Sequence, residues 1–235
     1  MTERRPDASG GSFGRLRSGP DPVLWETLYA PSFESDRRHT LPWLLEVDAA
    51  HVTMLAETGI LPRPQAAELL RLNRELALRC RRGETVLDPP PGHRGLFLAY
   101  ENLFIDRLGR EVGGAAHVAR SRNDINATIA RLRLRTGLLA LLDELVGLLG
   151  AAADLAAEHA ETAMSGFTHL QPAQPTTFGH YVTAVLSELE RGAGRVLAGY
   201  DETNRSPLGA GAGLGTSFPI DRERTAAGLG FDGVI

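Results

Sequence analysis

Two stretches of apolar residues at helical spacing constrain this chain more than any other feature. The first runs from about Asn123 to Met164 and places leucine, isoleucine and valine mostly three or four residues apart. A continuous helix of that length would span about 60 Å at about 1.5 Å per residue. The second begins after Pro175 and runs to about Glu202. Such long apolar faces exceed what a compact monomer of 235 residues can cover, and they indicate packing against partner helices.

The rest of the chain predicts shorter helices and two irregular segments. Residues 1–22 are rich in Gly, Ser, Pro and Arg and predict a disordered tail, and Asp88–Gly92 is a proline-rich linker that cannot be helical. Gly83 is placed to end a helix, and the tail Ser206–Ile235 reads as a loop with a short helix. Strand signals are nearly absent, so the fold class is all-α. The predicted shorter helices are Leu41–Thr58, Ala66–Arg81 and Leu96–Leu108.

Composition excludes several classes of protein. The net charge of −4 argues against bulk nucleic-acid binding, and all 25 basic residues are arginine, which excludes lysine chemistry such as a Schiff base. The single cysteine, Cys80, excludes an internal disulfide and a cysteine-based metal cluster. The N-terminus lacks the apolar core of a signal peptide, and no run of 18 apolar residues exists. We therefore expect a cytoplasmic protein that does not bind membranes.

The segment HVARSRND, His117–Asp124, concentrates polar chemistry just before the first long helix. Asn123 or Asp124 can cap that helix, and free N–H groups at a helix start attract anions. Arg120 and Arg122 can bind carboxylates, while Ser121 and Asn123 add neutral hydrogen bonds. The segment therefore fits a small polycarboxylate. A helix cap with solvated arginines remains the alternative.

A second polar cluster, FTHLQPAQP, lies between the two long helices. The segment Ser165–Pro175 must turn the chain, and its two prolines stiffen it. Thr168, His169 and Gln171 are then polar groups on a rigid frame, and His169 can act as an acid or base near neutral pH. The alternative is that His169 only hydrogen-bonds the turn. No spacing of histidines matches a zinc site, and no glycine-rich dinucleotide fingerprint follows a strand, so neither metal nor cofactor is predicted.

These segments together resemble argininosuccinate lyase, within the fumarase/aspartase superfamily. The resemblance covers roughly residues 25–235 and includes HVARSRND, FTHLQPAQPTTFGH, PSFESD and SPLGAGAGLGTSFPIDRERTAAGLGF. It implies a small N-terminal helical domain over 23–112, followed over 113–235 by the first part of a central helical bundle. It also implies a homotetramer in which three subunits build each site. The family's third signature loop, which carries the proposed serine base, lies downstream of Leu229–Phe231, so we expect the chain to lack it.

The resemblance also implies a reaction and a set of residues. Members of the family remove a proton beside a carboxylate and break a C–N bond by anti elimination, which releases fumarate without a cofactor or metal. In this chain His169 and Thr168 would be the catalytic residues at the succinyl group. The substrate, a dicarboxylate, would be bound by Ser32, His117, Ser121, Arg122, Asn123 and Gln171.

Three departures from the family pattern leave two alternatives open. Val118 replaces a threonine, Ile125-Asn126 replaces Gln-Val, and Arg94–Phe97 replaces Glu-Asp-x-His. A paralogue acting on another N-substituted succinate or on a nitro-succinate could carry these changes. A non-catalytic helical assembly protein is the second alternative, because the expected base is missing. Ser32 or Ser35 could also simply cap a helix.

Overall fold

The computed structural model describes residues 21–88 and 95–235. The predicted disordered tail, except for its last two residues, and most of the predicted proline linker lie outside these ranges. The first helix, α1 (Pro22–Leu24), leads through a π-helical turn (Trp25–Tyr29) into α2 (Ala30–His39). Neither Ser32 nor Ser35 caps α2, because both lie inside this continuous helical stretch.

Two helices of similar length follow, α3 (Leu41–Glu57) and α4 (Arg63–Arg81), and they contain much of the core. Both confirm the helices predicted from apolar spacing. Gly83 adopts φ +74° and the N–H of Glu84 donates to the Arg79 carbonyl, which ends α4 as the sequence predicted. The fully buried side chains that α3 contributes to the core include Leu41, Leu44, Leu45, Val47, Met54 and Leu55.

Helix α5 (Leu96–Gly113) begins at its predicted start but extends beyond the predicted end. Gly109 interrupts it with φ +79°, a conformation that glycine adopts without a steric penalty. A Cβ atom at Gly113 would lie 2.3 Å from the Phe104 carbonyl oxygen, so only glycine fits there. A short 3₁₀ helix (Gly114–His117) then leads to α6 (Arg122–Glu158).

The chain between the two long helices forms a β-hairpin, which corrects the sequence prediction. Helix α6 ends at Glu158 and not near Met164, and β1 (Ala163–Thr168) pairs antiparallel with β2 (Gln171–Thr177). Backbone bonds from Phe178 to Thr162 and from Gly179 to His159 close the base of the hairpin. The expectation that this segment reverses the chain direction is confirmed, but it does so through paired strands.

Helix α7 (Phe178–Thr203) confirms the second long helix. Thr177 caps it, since its Oγ1 accepts the His180 N–H at 3.1 Å. The tail from Ser206 is loop with one short helix, α8 (Arg222–Gly228), as predicted. Ser206 pairs with Val234 in a parallel bridge. Together these elements confirm the all-α class, with one two-stranded hairpin added.

The described residues divide into two compact units. The first contains residues up to Ala130 together with Ser206–Ile235, and the second is Arg131–Arg205. The domain boundary predicted near residue 112 stays a prediction of the sequence. Over 21–88 and 95–235, none of the helices has the length and apolar character needed to cross a membrane.

Candidate active site

The predicted dicarboxylate-binding segment lies in the first unit, at the turn between the 3₁₀ helix and α6. Ala119 has φ +66°, although it is not glycine. On one side of it, the Val118 carbonyl oxygen lies 2.8 Å from His51 Nε2. Because a carbonyl only accepts, Nε2 carries the proton and donates. Burial, with a smaller contribution from the Arg120 charge, lowers the pKa of His51 to about 3, so the ring is neutral near pH 7.

On the other side of Ala119, Arg120 turns into the core. Its side chain is 3% exposed, and its Nη2 lies 2.5 Å from Asp48 Oδ1 and donates to the Ala116 carbonyl at 2.8 Å. The Asp48 contact is a close approach of two charges without the alignment of a hydrogen bond. Tyr100 Oη donates to Asp48 Oδ2 at 2.6 Å. Burial, followed by the Asp48 charge, raises the pKa of the Tyr100 hydroxyl well above its usual value, which keeps it protonated as a donor.

Three half-exposed polar side chains, those of His117, Glu101 and Arg122, lie together at the surface of this turn. His117 Nδ1 is 2.9 Å from Glu101 Oε1, and Arg122 Nη2 is 3.6 Å from Glu101 Oε2. The hydrogen bond from His117 is the main cause that lowers the pKa of Glu101, so this carboxylate is ionised near neutral pH. The Arg122 guanidinium carbon also lies 5.9 Å from the centre of the Phe97 ring. These neighbours bind the Arg122 guanidinium only weakly, so its N–H groups can donate to an external anion.

The start of α6 is capped differently from the prediction. Neither Asn123 nor Asp124 precedes the helix; Ser121 does, and its Oγ accepts the Asn123 N–H at 3.3 Å. Asp124 completes the cap from the first turn, because its Oδ1 accepts the Ser121 N–H at 2.8 Å. Its Oδ2 accepts the N–H groups of Gly209 and Gly211, each at 2.9 Å. The buried Asp124 therefore joins the glycine-rich tail to the binding segment.

A cavity of about 470 Å³ lies beside this segment. His117, Ser121 and Arg122, three of the predicted binding residues, line it together with Glu101 and Arg120. The remaining wall is mostly apolar and includes Leu44, Phe97, Phe104, Ile105 and Ile125. The cavity thus combines cationic and hydrogen-bonding groups at one part of its wall with apolar surface, as a small organic anion requires.

Other predicted binding residues of the first unit lie outside this cavity. Ser32 is exposed in the first turn of α2, and Asn123 is exposed at the start of α6 with its Nδ2 3.4 Å from the Ala212 carbonyl oxygen. Neither lines the cavity. The segment therefore brings His117, Ser121 and Arg122 to one wall and leaves Asn123 at the adjoining helix surface.

The second predicted cluster lies at the tip of the hairpin in the second unit. Thr168 pairs with Gln171 across the hairpin, and the two turn residues between them, His169 and Leu170, have φ +48° and +62°. All four are exposed, with Leu170 at 92%. Left-handed conformation at two successive residues matches a type I′ turn, which normally carries Asn or Gly. His169 is therefore exposed at a tight turn whose backbone conformation is strained.

Several residues of this site were missed by reasoning from the sequence. For Asp48 and His51 the apolar spacing over Leu41–Thr58 predicts a helix and nothing more, and no sequence motif assigns a role to Tyr100 or Glu101. The available signal was the i, i+3 spacing of Asp48 and His51, which places an acid and a histidine on one otherwise apolar face of α3. Buried polar groups of this kind need partners, so the pair indicated a contact with another polar segment.

Comparisons with known proteins place these features in a family. A family profile described as "Lyase" matches residues 97–235. The argininosuccinate lyase 1 of Shouchella clausii is 38% identical over 218 residues, covering 93% of this chain and 43% of the relative. An argininosuccinate lyase of Halobacterium salinarum is 48% identical over 191 residues, covering 81% and 38%. The chain thus spans about two fifths of the length of these relatives.

Solved structures agree with this placement. An EDDS lyase variant with bound fumarate superposes with a TM-score of 0.72 at 32% identity, covering 93% of this chain and 42% of that one. A β-carboxy-cis,cis-muconate cycloisomerase from Acinetobacter calcoaceticus superposes at 0.68 with 19% identity, which shows a shared fold alone. The resemblance to argininosuccinate lyases drawn from the two polar motifs is confirmed. Because the profile matches more than half of its residues, the chain belongs to the lyase family.

Proposed function

We propose that this chain provides part of a carbon–nitrogen lyase that converts argininosuccinate reversibly into arginine and fumarate by anti elimination. The observation that carries the proposal is the wall formed by His117, Ser121 and Arg122 at the start of α6. It presents a guanidinium with spare donors next to a hydroxyl and an imidazole, and two argininosuccinate lyases match the surrounding sequence at 38% and 48% identity.

In the proposed reaction Ser121, Arg122 and Asn123 hold the succinyl carboxylates, and His117 lines the site. A bound carboxylate would compete with Glu101 for Arg122, which the 3.6 Å separation of that pair allows. Thr168 and His169 act at the succinyl group, where His169 polarises the carboxylate or donates a proton. Gln171 and Ser32 contact the remainder of the substrate.

We also propose that the protein acts as a homotetramer. Within the second unit, many large apolar side chains on α6 and α7 are exposed, and Val146 reaches 66%. An apolar helix surface of this extent is typical of an interface. Assembly around α6 and α7 would bury these side chains in a helical bundle. The exposed residues include Leu134, Leu139, Leu141, Val146, Leu148, Leu155, Val185 and Leu197.

A paralogous lyase that cleaves another N-substituted succinate is the second candidate. It is favoured by the 32% identity to an EDDS lyase and by the apolar side chain of Phe97, which lines the cavity where the family pattern has a histidine. An apolar wall suits an amine product that carries no guanidinium.

The experiment measures fumarate release by absorbance from argininosuccinate and from N-substituted aspartates. The protein is assayed as this chain and as a fusion to the C-terminal portion of the Halobacterium salinarum relative, with the unfused relative as the positive control. Preference for argininosuccinate supports the first proposal. Preference for another N-substituted succinate supports the second, and no turnover of any substrate by the fusion refutes both and leaves a non-catalytic assembly protein.

A further inference from the structure

The backbone just before α6 is held in an unfavourable conformation. Ala119 has φ +66°, and it lies two residues before Ser121. In the left-handed conformation the Cβ atom of an L-residue comes too close to the following carbonyl oxygen, so the conformation is unfavourable for alanine. Such a conformation persists only where neighbouring contacts determine it. The contacts on either side of Ala119 therefore decide where the binding segment points.

Helix α3 supplies those contacts on both sides. His51 Nε2 donates to the Val118 carbonyl at 2.8 Å, and Asp48 Oδ1 lies 2.5 Å from Arg120 Nη2. Asp48 and His51 are three residues apart, so they leave the same face of the helix. The Tyr100 hydroxyl fixes the second oxygen of Asp48 at 2.6 Å. One rigid helix thus fixes the residues immediately before and after Ala119.

These polar groups are deeply buried. The side chains of Asp48 and Arg120 are 2% and 3% exposed, and His51 is 1% exposed. Replacing a buried ion pair by apolar residues is often neutral or stabilising, so stability alone does not account for this pair. Control of the backbone does account for it, because the ion pair ties Arg120 to one partner on α3, whereas apolar packing would leave the position of residue 120 free.

We propose that Asp48, His51 and Arg120 form a clamp that holds Ala119 in the left-handed conformation and so orients Ser121 and Arg122 toward the substrate. These three are positioning residues, and their effect on substrate rests on the proposed function. Arg120 acts through the backbone: its Nε and Nη1 have no hydrogen-bond partner in the described part of the chain, but each exposes less than 1 Å², so a ligand in the cavity cannot reach them.

The test compares Asp48→Asn with Asp48→Asn/Ala119→Gly. The first variant removes the charge that holds Arg120, and the second lets residue 119 adopt a positive φ without help from the clamp. One readout is amide hydrogen exchange at Ser121, whose N–H donates to Asp124 at 2.8 Å. The other is KM and kcat for argininosuccinate, measured in whichever form of the protein releases fumarate.

We expect Asp48→Asn to speed exchange at Ser121 about tenfold and to raise KM about tenfold, with a smaller change in kcat, since a loss of about 1.4 kcal/mol corresponds to a factor of ten. Adding Ala119→Gly should recover at least about threefold of both losses, because glycine lowers the cost of the required backbone conformation. A merely structural role predicts lower stability that glycine does not repair.

The matched control is Glu57→Gln, which removes the exposed ion pair between α3 and Arg224 and should leave both readouts unchanged. If Asp48→Asn does not fold, Tyr100→Phe removes only the hydroxyl that fixes Asp48 and should move both readouts in the same direction. Normal exchange at Ser121 in folded Asp48→Asn, or no recovery with glycine, overturns the clamp. Absence of fumarate release overturns the proposed function, while the exchange measurement still decides on the clamp.

Discussion

Lowering the pH should destabilise the first unit, and the protonation of His51 should account for a predictable part of this loss of stability. In the folded protein burial lowers the pKa of His51 from 6.5 to about 3, whereas the unfolded chain takes up the proton near 6.5. The contribution of neutral His51 to stability is therefore complete above pH 6.5 and is lost as the pH falls toward 3. Each pH unit in this window lowers the free energy of unfolding by about 1.4 kcal/mol, which gives about 2 kcal/mol between pH 6.5 and 5.

The informative variant is His51→Gln, which keeps an N–H donor for the Val118 carbonyl but cannot titrate. Urea unfolding followed by tryptophan fluorescence reports on this unit, because both tryptophans, Trp25 and Trp43, belong to it. Measurements at pH 7, 6 and 5 yield the difference between the free energies of unfolding of the two proteins. Because both proteins carry the same carboxylates, the titration of these groups cancels in the difference.

We expect the wild-type protein to lose about 2 kcal/mol more than His51→Gln between pH 7 and 5. The gap should open below pH 6.5 and grow as the pH falls. Parallel curves for the two proteins would refute the reasoning, since they would show that His51 takes up its proton without unfolding the site. A variant that is already unfolded at pH 7 would show instead that glutamine does not replace the imidazole, and His51→Asn then provides the comparison.

Three further predictions concern the binding segment, the hairpin and the helix surface. Arg122→Ala and His169→Ala should each lower kcat/KM for fumarate release about a hundredfold or more, because each removes a preorganised donor. Asp124→Ala leaves three backbone N–H groups without this acceptor, two of them buried and that of Ser121 half-buried, and should lower the free energy of unfolding in urea by about 3 kcal/mol. Val146→Glu should reduce self-association in light scattering, because it places a charge on an exposed apolar surface.

The variants of Arg122, Asp124 and Val146 each have a matched control in the same chain. Arg110→Ala removes an exposed arginine of α5, Asp106→Ala removes an exposed aspartate of the same helix, and Val146→Ala keeps an apolar side chain. The roles given to Arg122 and His169 are wrong if the variants retain near-normal rates. A small loss for Asp124→Ala, similar to that of Asp106→Ala, contradicts the capping argument, and an unchanged mass for Val146→Glu contradicts the proposed interface.

Helices α3, α4 and α7 could be predicted because apolar residues at helical spacing mark them in the sequence. Helices α3, α4 and α7 begin and end within a few residues of the predicted bounds, where glycine or a capping residue marks the end. The hairpin could not be predicted in this way. Its strands contain Pro172, Pro175 and Gly166, show no alternation of apolar and polar residues, and are mostly exposed. A Cβ at Gly166 would lie 2.8 Å from the Gln174 carbonyl oxygen, a close approach that appears only when the strands are paired.

The candidate site was predicted in part for a similar reason. His117, Ser121 and Arg122 share one short segment, so their chemistry is visible in a single reading of the sequence. His51, by contrast, contacts Val118 across 67 residues, and Tyr100 contacts Asp48 across 52. Periodicity assigns a residue to a buried face but does not say which distant segment covers that face. The contacts that orient the binding segment therefore required the structure.

The carboxylate of Asp124 also sets an order of events during synthesis. Its Oδ2 accepts N–H groups that follow it by 85 and 87 residues. At about 5–20 residues per second, a ribosome needs roughly 4–17 s to add that length of chain. During this interval helix α6 can form locally, but the buried carboxylate that caps it still lacks two donors. The binding segment therefore reaches its final form only after Gly209 and Gly211 have emerged from the ribosome.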